Sequence, residues 1–461
     1  MCIRDRLRCS QNVDGLKLLA CCPSNAGTDE LARKLSENIP MGDGTTMRPY
    51  IVRIGRRNHD FGDLRGISVQ ELAMQYDIQV FNPPQEDGRP QRRHPSRQAL
   101  HSLTSEACIF LCTITTAGGP LLQRLGVNVS VVIVDEAAQA SEQQSVAAII
   151  SNARLSQQGR IHAVFVGDQM QLPPVFTSRH EAVKFLETNR HFRFRPRMKR
   201  QFESLFERLY RTDRCKTTWL THHYRSHPRL AVNTLSYMYS DILLHPLPAQ
   251  RFERPYNNLE GENGLQCLTV IDTRLSLDRF ESDLQGASAK GGRMYNTLEM
   301  EIANRVAYRI YNNRGDADMS HAFQMASPYQ EMTNLMDDYM HTSPRFCSRH
   351  PNAPDLVVTI DTTDALQGTQ RSVSIICLTR SNLDGDTGFL NVDNRLNVAF
   401  SRAQHLLVVI GDFSTMVNSP IADHIYWSAV NRYGRSSLQF YQPPRTRLDR
   451  RQQHEMRRLT A

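Results

Sequence analysis

Short apolar segments bounded by turn signals, alternating with helical stretches, constrain this chain more than any other feature. Leu16–Cys22, Ala107–Cys112, Val129–Asp135 and Ile161–Gly167 are rich in Val, Ile, Leu or Cys. Leu265–Ile271, Ala322–Ala326, Leu356–Ile360, Ser374–Leu378 and Leu406–Gly411 form a second set. Near-continuous apolarity marks strands covered on both faces, as in a parallel sheet. Helical patterns lie between them at Asp29–Asn38, Glu142–Ile150, Gln201–Tyr210, Leu298–Asn312 and Gln330–Tyr339. Two sets of alternating strands and helices predict two α/β domains with parallel sheets, over residues 1–215 and 216–440. Residues 58–105 are polar, carry Pro83-Pro84 and Arg92-Arg93, and read as an insertion in the first domain. Residues 176–216 are strongly basic and read as the connection between the domains; 441–461 form a basic tail.

Composition narrows the function classes. The longest apolar runs, such as Val131–Val134 and Leu406–Ile410, fall far short of the ~20 residues of a membrane helix. A net charge of +8 suits a polyanionic partner. The ten cysteines are scattered without a CxxC pair, which predicts reduced thiols in an intracellular protein. Cys347 with His350 is too little for a zinc site.

The chemistry concentrates at strand ends. Four β-branched residues, Val131–Val134, run into Asp135-Glu136-Ala137-Ala138-Gln139. Ligands of open α/β sheets bind at the carboxyl ends of strands. Nucleotide hydrolysis needs one carboxylate to hold Mg²⁺ through its water shell, and Asp135 suits that role. It needs a second to orient the attacking water, and Glu136 suits that one. Gly167-Asp168-Gln169-Met170-Gln171-Leu172-Pro173-Pro174 again follows a strand, and Gln171 is placed to sense a γ-phosphate or its water. Tyr224-Arg225-Ser226-His227-Pro228, Asp364-Ala365-Leu366-Gln367-Gly368 and Asn394–Ala403 complete the series. Arg225 and Arg402 are candidates to stabilise charge on a transferring phosphoryl group, because guanidinium is planar, permanently charged and bidentate.

Taken in order, these residues resemble the motifs of superfamily-1 helicases, specifically the up-frameshift-type RNA/DNA helicases. Cys22–Asp29 is similar to that family's motif Ia and Cys112–Gly118 to its next strand-contacting motif. Asp135–Gln139, Gly167–Pro174 and Tyr224–Pro228 resemble motifs II, III and IV. Tyr295-Asn296 with Glu299, and Ser327-Pro328-Tyr329, match shorter elements; Asp364–Gly368 and Arg395–Arg402 resemble motifs V and VI. The resemblance implies two RecA-like P-loop NTPase domains with ATP and Mg²⁺ between them and a single strand of RNA or DNA across both. It assigns Asp135, Gln139, Asp168, Glu299, Gln367, Gly368 and Gln370 to the nucleotide and its metal. It assigns catalytic roles to Glu136, Gln171, Arg225 and Arg402, and strand contacts to Pro23, Ser24, Asn25, Thr113, Pro328, Tyr329 and Asn397. It also implies stepwise 5′-to-3′ movement.

Two departures stand out. Gln370 occupies a place where the family commonly has Glu. More important, ATP hydrolysis in such a fold uses a GxxxxGK[ST] loop, and this sequence contains no Gly-Lys dipeptide. Only fifteen residues precede Leu16, too few for the loop and the helix that follows it. The sequence therefore predicts a helicase written without its first strand and P-loop, with Met1–Arg6 as a spurious start and with negligible ATP turnover of its own. The alternative reading is a non-catalytic nucleic-acid-binding scaffold that retains the fold.

Overall fold

A computed structural model describes residues 17–36, 39–40, 46–47, 50–55, 62–76, 96–155, 160–176, 203–239, 245–246, 267–273, 282–283, 294–312, 322–342, 358–382, 385–433 and 438–440. They belong to two units, one ending at Leu220 and one beginning at Thr221.

In the first unit, strands β1 (Leu18–Cys22), β2 (Ile51–Arg53), β3 (Ile109–Thr113), β4 (Val131–Val134) and β5 (His162–Phe165) form one sheet in the order β2-β3-β1-β4-β5. Every pairing is parallel. Alternation decides which residue meets which layer. Leu19, Cys21, Phe110, Cys112, Val132 and Val134 share one core cluster, while Leu18, Ala20, Ile109, Leu111, Val131 and Ile133 share the other. The central strand β1 is fully buried along its length and carries no charged residue. Helix α1 (Asn25–Ser36) covers the second face through Leu31, Ala32 and Leu35, which lie on one helical stripe. Helices α2 (Val69–Tyr76) and α3 (Arg97–Glu106) join β2 to β3. Their Val69, Ala73 and Leu103 enter the first cluster. The described ends of the segment read as an insertion are thus built into the core; Arg92 and Arg93 lie outside the described residues. Helix α4 (Glu142–Leu155) links β4 to β5. Helix α5 (Leu205–Arg211) begins with a Ser204/Glu207 capping box and is held to α4 by Arg208–Glu142. Of the basic stretch 176–216, its described part therefore belongs to the first unit.

The second unit repeats the plan. Strands β6 (Leu268–Asp272), β7 (Phe323–Ser327), β8 (Val358–Thr362), β9 (Arg371–Cys377), β10 (Ala403–Gly411) and β11 (Leu438–Phe440) run parallel in the order β8-β7-β9-β10-β6-β11. Along β10, Leu406, Val408 and Ile410 face helices α7 (Thr297–Asn312) and α8 (Gln330–Thr342). Leu407 and Val409 face α6 (Pro228–Tyr239), α9 (Asp393–Phe400) and α10 (Pro420–Tyr433). Cys21, Cys22, Cys112 and Cys377 are buried free thiols, and burial pushes all four well above the ordinary thiol range. Among the described residues, no helix is long and apolar enough to cross a membrane.

Two elements depart from the sequence reading. Strand β2 and strand β11 have three residues each, below the length at which periodicity is legible. Arg53 closes β2 and is wholly buried. It donates to Asp29 Oδ1 (2.8 Å), to the Ile54 carbonyl (2.6 Å) and to Asn25 Oδ1 (3.3 Å). The guanidinium thus ties the end of β2 to the first turn of α1. Arg53→Met keeps the stem and removes every donor. It should destabilise the first unit by about 3 kcal/mol, the lower end for breaking a buried pair, because Asp29 retains some solvent contact. Urea unfolding measures this; a wild-type midpoint for Arg53→Met would show that the pairing contributes nothing.

Candidate nucleotide and strand site

The carboxyl ends of β1, β3, β4 and β5 lie on one rim of the first sheet, since all its strands are parallel. Ser24 and Asn25, just past β1, are exposed, and Pro23 is half-buried. The Ser24 hydroxyl accepts the Gly27 N–H (3.0 Å) at the start of α1, and its own proton remains to donate. Thr113 stands beside Cys22 in register and caps the turn Ile114–Ala117 by accepting from Thr116 N. Both hydroxyls thus mark helix N-termini at the rim, where main-chain N–H groups favour anions.

Asp135 and Glu136 occupy the same rim at the end of β4. The chain turns sharply there: Glu136 adopts φ +52, a left-handed conformation costly for a residue with a side chain. Neighbouring bonds enforce it. Asp135 N donates to the Cys21 carbonyl and Ala137 N to the Val166 carbonyl, both at 2.8 Å. The Glu136 N–H donates to Asp135 Oδ1 (3.0 Å). Burial, then the adjacent Glu136 charge, pushes the Asp135 carboxyl up to about 6.

The loop after β5 is pressed onto this turn. A Cβ on Gly167 would stand 2.9 Å from the Ala138 nitrogen, so only glycine permits the approach. Asp168 accepts from Met170 N (2.9 Å) and from Gln171 Nε2 (3.0 Å). Its carboxylate organises the loop and orients Gln171. Gln139 is half-buried in the turn after Glu136, its N–H donating to the Glu136 carbonyl.

The second unit brings together residues far apart in sequence. Arg225 donates to Gln370 Oε1 (3.2 Å) and to the Ser401 carbonyl (3.1 Å). Ser226 Oγ donates to the Ala403 carbonyl and His227 N to that of Gln404. The segment Tyr224–Pro228 is thereby fastened along the entry to β10. Gln367 and Gly368 are half-buried in the turn before Gln370, where Gly368 takes φ +81. Arg395 holds this turn by donating to Asp364 Oδ1 (3.1 Å). Gln370 at this place accepts from the Arg225 guanidinium through a neutral amide oxygen, where Glu would make an ion pair.

Four of the assigned residues are enclosed by the second unit. Arg402 is 1% exposed and donates to the carbonyls of Val398 (2.9 Å) and Thr369 (3.4 Å). It ties α9 to the turn that ends at Gln370. Glu299, assigned to the nucleotide, is fully buried and accepts from Thr379 N (2.8 Å) and Asn296 Nδ2 (3.2 Å). Asn397, assigned to the strand, is also fully buried and donates to the Tyr239 hydroxyl (2.8 Å). Tyr329 is 7% exposed, which leaves Pro328, half-buried, as the surface residue of that turn.

Sequence reasoning missed His223, whose Nε2 accepts the Ser226 N–H (3.0 Å). Burial and then Arg225 push it down to about 4, so it stays neutral and shapes the Arg225 turn. Its place two residues before Arg225 was the available signal.

Comparison with known proteins agrees with this geometry. Two family models, each described as an AAA domain, match residues 202–414 and 81–179. The chain is 26% identical over 427 residues to the probable helicase MAGATAMA 3 of Arabidopsis thaliana, covering 90% of this chain and 46% of that protein. It is 24% identical over 450 residues to regulator of nonsense transcripts 1 of Caenorhabditis elegans, covering 94% and 37%. The DNA-binding protein SMUBP-2 of Mesocricetus auratus is 27% identical over 439 residues, covering 88% and 39%. Together these matches make the chain similar to superfamily-1 helicases of the up-frameshift type. It spans less than half the length of these curated relatives. The two AAA-domain matches fall one mainly on each of its two α/β units.

Helicases use a nucleotide and a divalent metal, and the rim at the end of β4 fits the metal. The donors at the β4 rim are carboxylate oxygens, the hard ligands Mg²⁺ takes, and a cation there would offset the Asp135–Glu136 repulsion. No cluster of three or more His, Cys, Asp or Glu side chains able to hold a metal occurs among the described residues. Mg²⁺ held by one carboxylate plus phosphates needs none.

A raised carboxyl contributes stability fully below its unfolded value, near 3.8, and loses that contribution as pH rises through about 6. Asp135→Asn removes the ionisation and keeps an acceptor for Glu136 N. The variant should match wild type near pH 4, become more stable as pH rises, and level off above about pH 6. The plateau should be on the order of 1–2 kcal/mol, reduced from the full shift by residual solvation. Chemical denaturation across that range checks this, and a pH-independent difference would mean that Asp135 is not perturbed.

Proposed function

We propose that this chain is the motor portion of an ATP-dependent helicase or translocase that moves 5′-to-3′ along single-stranded RNA or DNA. The observation that carries the reading is the Asp135–Glu136 pair on the strained turn at the end of β4, clamped to the Gly167–Gln171 loop. Asp135 would hold Mg²⁺ through water, and Glu136 would orient and deprotonate the attacking water. Gln171, fixed by Asp168, would sense the γ-phosphate. Arg225, half-buried and set by Ser401, Gln370 and the Ser226–Ala403 bond, would stabilise charge on the transferring phosphoryl group. Supporting this is the way bonds between distant segments aim each residue before any ligand arrives.

On the strand side, Pro23, Ser24, Asn25 and Thr113 in the first unit and Pro328 in the second would touch sugar and phosphate. Short hydroxyls, amides and helix N-termini position a backbone without reading bases. Binding would be sequence-tolerant and salt-dependent. Exposed Arg97, at the start of α3, would add to that charge term, as would Arg92 and Arg93. The absence of a Gly-Lys dipeptide favours slow turnover by the chain as written. It also keeps open the second reading, a scaffold that binds strands without hydrolysis.

The decisive experiment joins this chain to a GxxxxGK[ST] strand–loop–helix and measures strand-stimulated ATP turnover with Mg²⁺–ATP affinity. Asp135→Ala should weaken affinity and abolish turnover. Glu136→Gln should retain affinity within about threefold while turnover falls by about 10²–10³-fold, because shape and polarity stay and the base is lost. Equal loss of affinity in both variants would contradict these roles, and no turnover in the parent would favour the scaffold.

A further inference from the structure

Glu299 heads a buried polar relay that the site described above does not use. Its carboxylate accepts from the Thr379 N–H (2.8 Å) and from Asn296 Nδ2, while Asn296 Oδ1 accepts the Glu299 N–H (3.1 Å) and Asn296 Nδ2 also reaches the Thr379 carbonyl (3.3 Å). Thr379 therefore has both main-chain polar groups held from one side. It adopts φ +72, a left-handed conformation unfavourable for a β-branched residue. A buried carboxylate receiving this N–H is what keeps so strained a residue in place.

The strain has a visible product. In this conformation the Thr379 hydroxyl meets the Ser327 hydroxyl at 2.8 Å. Ser327 Oγ accepts the Tyr329 N–H (3.2 Å), and the Ser327 carbonyl accepts the Thr363 N–H (3.0 Å). Asn296, Glu299, Ser327, Thr363 and Thr379 are all essentially inaccessible to solvent. One chain of bonds thus runs from α7, through the end of β9, to the Ser327–Tyr329 turn at the end of β7 and to the loop after β8. That loop continues into Asp364–Gly368 and Gln370, which accepts from Arg225.

We infer that Glu299, through Thr379 and Ser327, is a positioning residue that sets the Ser327–Tyr329 turn for single-stranded nucleic acid. The inference rests on the helicase reading above and names a device within it. The physical case is economy. A turn that contacts a backbone through Pro328 and its peptide groups must be held by something other than its own exposed side chains. Here it is held from beneath, through a hydroxyl pair that exists only because Thr379 is kept left-handed. A purely structural buried acid could be satisfied by ordinary helix-capping bonds without straining a threonine 80 residues away.

The test separates positioning from stability. In Thr379→Gly the left-handed backbone is no longer costly and the N–H to Glu299 persists, but the hydroxyl to Ser327 is gone. Thr379→Ser keeps the hydroxyl. The 461-residue chain and both variants are titrated against a fluorescent single-stranded oligothymidylate and oligouridylate, and each is melted. Thr379→Gly should bind about fivefold more weakly with an unchanged or higher Tm, the size of effect expected for one link in a polar network. Thr379→Ser should stay within about twofold of wild type. Wild-type affinity in Thr379→Gly would overturn the inference. So would equal losses in both variants, or a loss accompanied by a lower Tm, which is instability alone. If the wild-type chain binds neither oligonucleotide, the helicase reading falls and this inference with it. That outcome is distinct from a wild type that binds and a glycine variant that binds equally.

Discussion

Everything functional in this chain depends on parallel strands being buried on both faces. Such a strand has no solvent side, so a charge within it would face the full cost of desolvation. Polar chemistry is driven to strand ends, and parallel pairing collects those ends on one rim. Val131–Val134 illustrates the rule: four buried aliphatic residues, then two carboxylates in the first two positions where the sheet ends. The same holds for β7, where Phe323–Ala326 are buried and the Ser327 hydroxyl begins the turn. A core built this way fixes where a site lies before any catalytic residue is chosen.

The rim then poses a second problem, because loops leaving it cannot be held by sheet hydrogen bonds. The structure solves it with buried polar side chains bonded to main chain. Arg53 takes the Ile54 carbonyl and the α1 turn, Arg402 takes two carbonyls, and Glu299 takes the Thr379 N–H. Each satisfies main-chain groups that would otherwise be stranded, which is why each is wholly or almost wholly enclosed. Buried polar groups of this sort are costly to leave unbonded. They are found where a loop must hold one geometry.

This division explains what the sequence could and could not disclose. The long strands were legible because continuous apolarity has few other meanings; Leu406–Gly411 lies within the observed Ala403–Gly411. Strands of three residues, such as Ile51–Arg53, carry no period to read. The rim carboxylates Asp135 and Glu136 were legible because their position after a β-branched run is itself a physical argument. The burial of Arg402, Glu299 and Asn397 was not legible, because a polar residue aimed inward at a carbonyl and one aimed outward at a phosphate have the same letter. Their motifs told that these residues matter, and only burial tells in which direction.

The Asp135–Glu136 turn shows how the two kinds of residue differ in energy. Arg53 and Glu299 are paired within the protein, so the folded state is their resting condition. Asp135 is the reverse. Its nearest charged neighbour in sequence is another carboxylate, its carboxyl is pushed up to about 6, and Glu136 beside it sits in a left-handed backbone that Val166 and Cys21 hold by main-chain bonds. Repulsion, partial desolvation and backbone strain are all concentrated in two residues. A cation there would offset the first two terms, since an opposite charge favours ionisation where a like charge and burial oppose it. On the proposed reading, that cost is a preference for a bound ion stored in the turn.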